Sequence, residues 1–168
     1  MQRRTFLAAS LAALAGSAVL GWRLWPQGRQ PVLLSARDNS QGEHFAVGYS
    51  LAGEQLFATQ VTERCHDICV HPSLPLAVFT GRRPSTESYL IDLQTGRLVQ
   101  TFVTPANRHF QGHAVFDSSG ARLYSTENDT DEPGRGVIGV WQLDAAQRLQ
   151  RVDDLSSHRA CLRRSGLP

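Results

Sequence analysis

The densest group of ligand-type side chains in this sequence is Cys65-His66-Asp67-Ile68-Cys69-Val70-His71. Thiols, imidazoles and a carboxylate in one run suggest a metal, but the C-x2-C spacing of zinc sites is missing. Read as a strand, residues 65, 67, 69 and 71 share one face and 66, 68 and 70 the other. Side chains four apart on a strand face diverge, so the run cannot chelate one ion alone. The plainer reading has His66 and Asp67 hydrogen-bonding between neighbouring elements while Ile68 and Val70 pack in the core. A second histidine, His113, follows Gly112 in a similar setting. If the two histidines stand near the starts of equivalent strands, His66 and His113 point at one shared axial site as ligands or proton carriers. The alternative is one structural histidine per repeat.

Two further segments could hold a ligand. Residues 126–134 carry four carboxylates, Glu127, Asp129, Asp131 and Glu132. Oxygen-rich loops suit hard cations, although the ligand spacing of an EF-hand is absent. Glu127 and Asn128, read at a strand end beside His113, are the sharper ligand-binding candidates. Asp129 and Asp131 are weaker metal candidates, and a solvated acidic loop is the alternative. Arg82, in Arg82-Arg83-Pro84 one repeat earlier, could grip an anion through its guanidinium fork, or simply lie in an exposed loop. No catalytic residue emerges: no serine sits in a G-x-S-x-G elbow. All 17 basic residues are Arg, which removes the lysine of phosphate-binding loops and of Schiff-base chemistry. The sequence requires no cofactor; Ca²⁺ or iron would suit these donors.

The elements that must position these residues are strands. From 30 to 155 no helical period outlasts a turn, and short apolar or alternating runs are broken by Gly, Pro, Asp, Asn and Ser. Eleven such runs are expected, over 32–39, 44–51, 56–61, 67–72, 76–82, 87–93, 98–104, 113–117, 122–128, 136–143 and 148–155. The segments 50–56, 92–98 and 142–149 resemble one another, with strand-ending leucines at 51, 93 and 143. A second turn type recurs at 71–76 and 117–123. Periods of about 40–50 residues with four strands each mark a β-propeller. Labelled A to D from the channel outward, the strands fall into B-C-D, A-B-C-D and A-B-C-D. The fold class expected is all-β, with about three four-stranded blades of an incomplete ring, because rings need about 4–8 blades. The exposed edges of such an arc favour aggregation.

Residues 1–29 form a separate segment. They hold four arginines and no acid, with an apolar run from Phe6 to Trp22. That run is short for a bilayer span of about 20 residues and fits an export signal. Arg3, Arg4, Phe6 and Leu7 match the twin-arginine export pattern. Residues 159–168 carry three arginines, no acid and no strand pattern, and read as an aberrant tail, out of frame in a truncated copy. The body, 30–158, has ten arginines against fifteen acids, a net of −5, so the overall +2 belongs to the ends. An acidic body lacks the clustered basic surface that nucleic acids require. Cys65, Cys69 and Cys161 are odd in number, and an extended chain puts the first two too far apart to bridge.

With these segments in view, the chain resembles the N-terminal half of an uncharacterised bacterial family of twin-arginine-exported, propeller-repeat proteins. The likeness rests on residues 3–7, 65–72 and above all 112–141. It departs at Arg159, where the family continues into further blades. Its genes neighbour imelysin-type iron-uptake genes and a haem-containing thiol oxidoreductase-like gene. The resemblance implies periplasmic location, with inner-membrane anchoring if the signal stays uncleaved. It also implies partners in the twin-arginine export machinery and among periplasmic iron-uptake proteins. The function so read is a non-catalytic ligand- or partner-binding module. The alternative is a propeller enzyme, either a metal-dependent lactonase or a quinoprotein-like oxidoreductase.

Overall fold

A computed structural model describes residues 31, 33–132 and 134–157. The export-signal residues Arg3, Arg4, Phe6 and Leu7, the tail 159–168 and Cys161 lie outside the described residues. Eleven strands follow in order: β1 (Leu33–Asp38), β2 (His44–Tyr49), β3 (Gln55–Val61), β4 (Cys65–Val70), β5 (Leu76–Gly81), β6 (Glu87–Asp92), β7 (Leu98–Val103), β8 (Arg108–Phe116), β9 (Arg122–Asp129), β10 (Gly136–Leu143) and β11 (Leu149–Ser157). They form three antiparallel meanders, β1-β2-β3, β4-β5-β6-β7 and β8-β9-β10-β11. The fold is all-β and propeller-like. β4 and β8 lie side by side, and β1 packs against β4 as β5 packs against β8. That places β4 and β8 as innermost strands and β1 at the position of the second, with no A strand beside it among the described residues.

Burial shows which sheet has two neighbours. All of β5 is buried, as expected of a strand packed on both faces. Leu76, Val78, Leu90 and Phe116 face a core shared with the third sheet, where the rings of Phe102, Phe110 and Trp141 meet edge-on or tilted. Ala77, Phe79, Tyr89 and Ile91 face a second core shared with the first sheet. β9, by contrast, alternates between buried and less buried positions, with one packed face.

The repeated turn joins the last two strands of each sheet. The amides of Ser50, Asp92 and Asp144 donate to the carbonyls of Glu54, Arg97 and Arg148. A left-handed residue closes each turn: Gly53 at φ 80°, Gly96 at φ 72° and Gln147 at φ 59°. The turn repeats, but the leucine does not. Leu51 and Leu93 follow the first turn residue, whereas Leu143 precedes Asp144 and ends β10.

Two innermost strands depart from simple alternation. β4 bulges between Cys65 and Asp67, leaving His66 as the extra residue. Cys65 and Ile68 therefore pack in the core toward the first sheet, while Cys69 packs toward the third. The expected common face of 65, 67, 69 and 71 is broken, and Val70 is 53% exposed rather than in the core. β8 bulges between Phe110 and Ala114 and begins at Arg108, five residues before the expected start. Gly112 sits in that bulge at φ 96°, a conformation open to glycine.

Candidate functional site

The seam between β4 and β8 assembles three polar side chains. His113 Nδ1 lies 3.1 Å from Asp67 Oδ2. The carboxylate accepts, so Nδ1 carries the hydrogen and the Nε2 lone pair of a neutral ring is left for another partner. The His66 and His113 rings meet edge-on with centroids 5.1 Å apart. A Cβ on Gly112 would come within 2.6 Å of the His66 ring, so the bulge glycine gives His66 its place. Thr126 Oγ1 donates to the His113 carbonyl at 3.1 Å and ties the bulge to β9. The side chains of His113 and Asp67 are 61% and 42% exposed, so the pair is open to solvent.

The histidines meet by a different route from the expected equivalence. Val70 pairs with Ala77 as Phe116 pairs with Leu123. Counting back from these pairs puts His113 at the position of Asp67, and Gly112 at that of His66. The two imidazoles are neighbours across the seam rather than repeats of each other.

Below this group the seam is structural. Cys69 Sγ accepts the Phe116 amide at 3.3 Å. His71 is buried; its Nδ1 accepts the amides of Ser73 and Leu74 at 3.1 and 2.9 Å. Nε2–H therefore donates to the Gly120 carbonyl, 3.1 Å away. Burial pushes the Cys65 thiol up to about 12. Burial also raises Cys69, against the opposing hydrogen bond from the Phe116 amide. Both remain thiols at neutral pH, unsuited to nucleophilic or thiolate-ligand chemistry.

The acidic segment sits differently from its expected place. Glu127 lies in the strand as expected and Asp129 ends it rather than lying beyond it, but Glu127 pairs with Phe110 across β8 instead of standing beside His113. The Glu127 side chain is fully buried, held by both terminal nitrogens of Arg151 at 2.9 Å and by Ser125 Oγ at 2.7 Å. Arg151 also stacks over Trp141, 4.9 Å from the ring centroid. Glu127 outweighs the desolvation that would lower the Arg151 guanidinium and holds it above its ordinary range. Asn128 donates to the Asp129 carbonyl at 3.0 Å.

Asp129 meets Arg108 at 2.6 Å and accepts the Asp131 and Glu132 amides. Burial works against its charge, but those amides and the arginines prevail and hold it below its ordinary value. Asp131 is exposed and accepts from Asn107 at 3.1 Å. The Asp129 oxygens are thus occupied by arginine and amides, and Asp129 and Asp131 form no cation cage. Among the described residues, no group of three or more His, Cys, Asp and Glu is arranged to hold a metal ion. Arg82 is exposed in the β5–β6 turn, its amide donating to the Arg64 carbonyl at 2.7 Å. It makes no hydrogen bond to the histidine group. Of the candidates, the structure brings together His66 and His113, adds Asp67, and leaves Arg82, Glu127, Asn128, Asp129 and Asp131 elsewhere. Asp67 was expected to hydrogen-bond between neighbouring elements, and it does; what the sequence did not show is its partner, 46 positions away.

A family model described as "Protein of unknown function (DUF1513)" matches residues 59–160, more than half of the chain. No curated protein matches it. Among solved structures, a dihydro-heme d1 dehydrogenase, NirN, in complex with DHE is similar at 18% identity and a TM-score of 0.53. The likeness covers 73% of this chain and 27% of that one. The shared feature is the fold; this chain spans about a quarter of that protein's length.

Proposed function

The chain belongs to the DUF1513 family of proteins of unknown function, and from that premise we propose that it is an exported, non-catalytic binding module acting in periplasmic iron acquisition. The observation that carries the proposal is the pairing of two imidazoles from neighbouring sheets, 5.1 Å apart, with one held by a carboxylate. An imidazole whose Nδ1–H is held keeps its Nε2 lone pair as an acceptor, able to bind iron or a proton. Export is supported by Arg3, Arg4, Phe6 and Leu7, and the iron context by the family resemblance in 65–72 and 112–141. The similar solved protein is a dihydro-heme d1 dehydrogenase, which makes haem the first ligand class to try, beside ferric citrate. The ligand would sit on the seam rather than in an enclosed cage, with Asp67 keeping the His113 ring oriented.

The test is an imidazole NMR titration of the intact chain with haem and, separately, ferric citrate. The His66 and His113 resonances should broaden first, and a His66→Ala/His113→Ala double variant should bind at least about tenfold more weakly. Broadening spread evenly over all histidines, or unchanged affinity in the double variant, would overturn the reading.

A further inference from the structure

The first and second sheets meet at a group of charges that the histidine site does not use. Asp38 ends β1, and His44 opens β2 opposite it. His44 Nδ1–H donates to Asp38 Oδ1 at 2.8 Å, and Arg64 Nε stands 3.3 Å from Asp38 Oδ2. The hydrogen bond from His44 does most to hold the Asp38 carboxyl below its ordinary range, against desolvation, and the charges of Arg64 and Arg82 add to it. Arg64 and Arg82 are themselves opposed, since the Arg82 amide donates to the Arg64 carbonyl at 2.7 Å. The Ser85 amide, 2.9 Å from the Arg82 carbonyl, closes the turn and fixes the backbone there. Both arginine side chains reach solvent.

The same place in the third sheet carries no such charge. Cys65 pairs with Gly81 as Phe110 pairs with Glu127, so Arg64 and Arg82 hold the places of His109 and Asn128. The arginine beside that second pair, Arg108, is spent on Asp129 at 2.6 Å. By the same count Glu63 and Arg83 stand one place further out and offset each other in charge. Glu87 accepts the Tyr89 hydroxyl at 3.1 Å. Like charges directly opposite each other destabilise a sheet. Asp38 meets one of the two arginines through Nε and already holds His44, so the pair keeps a positive excess. The body as a whole is acidic, which makes this a local reversal rather than part of a basic surface.

We propose that Arg64 and Arg82 form an anion site that takes one carboxylate or phosphate group of a small oxyanion. A guanidinium fork donates two parallel hydrogen bonds to such a group, and two forks together enclose it. Asp38 is the positioning residue: it holds Arg64 at Nε and leaves the terminal nitrogens for the ligand. The sequence marked Arg82 for an anion; the fold adds Arg64 and Asp38. The inference rests on neither the histidine group nor the iron reading.

The test is an imidazole NMR titration of the intact, metal-free chain with inorganic phosphate and, separately, citrate. The His44 signals should move, because its ring shares Asp38 with Arg64, while those of His66, His71 and His113 stay in place. At least one anion should bind with a Kd of about 1 mM or tighter, and the tighter arm identifies the group as phosphate or carboxylate. Arg82→Gln, at an exposed turn position, should weaken binding by about tenfold or more and leave the urea midpoint unchanged. Arg97→Gln, at an exposed turn elsewhere, should leave binding unchanged. A still His44 up to roughly 10 mM of either anion, or equal losses in Arg82→Gln and Arg97→Gln, would overturn the proposal.

Discussion

Glu127 offers the sharpest mutational contrast, because sequence reading makes it a ligand residue and the structure makes it half of a buried ion pair. Its side chain is fully buried, while Arg151 is 19% exposed and also reaches Asp154. Removing one partner of such a pair leaves an uncompensated charge, at a cost of about 3–5 kcal/mol. The two halves are unequal here. Glu127→Leu leaves Arg151 with Asp154 and some solvent, so its loss belongs near the bottom of that range. Arg151→Leu leaves Glu127 in the interior with only the Ser125 hydroxyl, so its loss belongs near the top. Replacing both with leucine removes the buried charges together and should fall within about 1–2 kcal/mol of the parent. Urea unfolding of the four proteins gives the coupling, which these losses put at roughly 6 kcal/mol. In a thermal scan the single variants should melt roughly 10 °C or more below the parent. Additive losses of under about 0.5 kcal/mol each would refute the buried pair and return Glu127 to solvent, where a ligand could reach it.

Gln147 holds the left-handed turn position that Gly53 and Gly96 fill in the other sheets, so Gln147→Gly should stabilise by up to about 1 kcal/mol in urea unfolding. Gly112→Ala should cost roughly 1–2 kcal/mol and shift the His66 ring resonances, since the added methyl meets that ring. The carboxyls of Asp38, hydrogen-bonded by His44, and Asp129, held by backbone amides and Arg108, lie below their ordinary values when folded. Such groups stabilise the fold above the unfolded value near 3.8, and that contribution is lost as pH falls from about 4 through the folded values. Urea midpoints should therefore drop over that window, and Asp129→Asn should drop less steeply than the parent.

The strand grammar of this fold was legible because local rules wrote it. Polar turn residues break the chain at regular distances, and β5, buried on both faces, reads as an unbroken apolar run. The bulges were not legible. Nothing local marks His66 as an extra residue, since a bulge depends on the partner strand's register. That one residue moves Cys65 and Cys69 to opposite faces and turns Asp67 toward His113. Gly112 lay just before the expected strand 113–117, and the bulge there extends β8 back to Arg108. The acidic run 126–134 misled because composition sees carboxylates but not the arginines, Arg108 and Arg151, that lie on other strands. Val70 reads as core in the sequence but is exposed, since no strand among the described residues covers it as β4 covers Phe116.

The central claim is that β4 and β8 lie side by side and hold His66, Asp67 and His113 as one group. Proton NMR of the intact chain tests it through cross-relaxation between the two imidazole rings. Rings at 5.1 Å should give direct cross-peaks, and Asp67→Asn should shift the His113 signals while leaving those of His71 in place. Absence of any His66–His113 cross-peak, with His113 unmoved by Asp67→Asn, would contradict the arrangement of the sheets and the site with it.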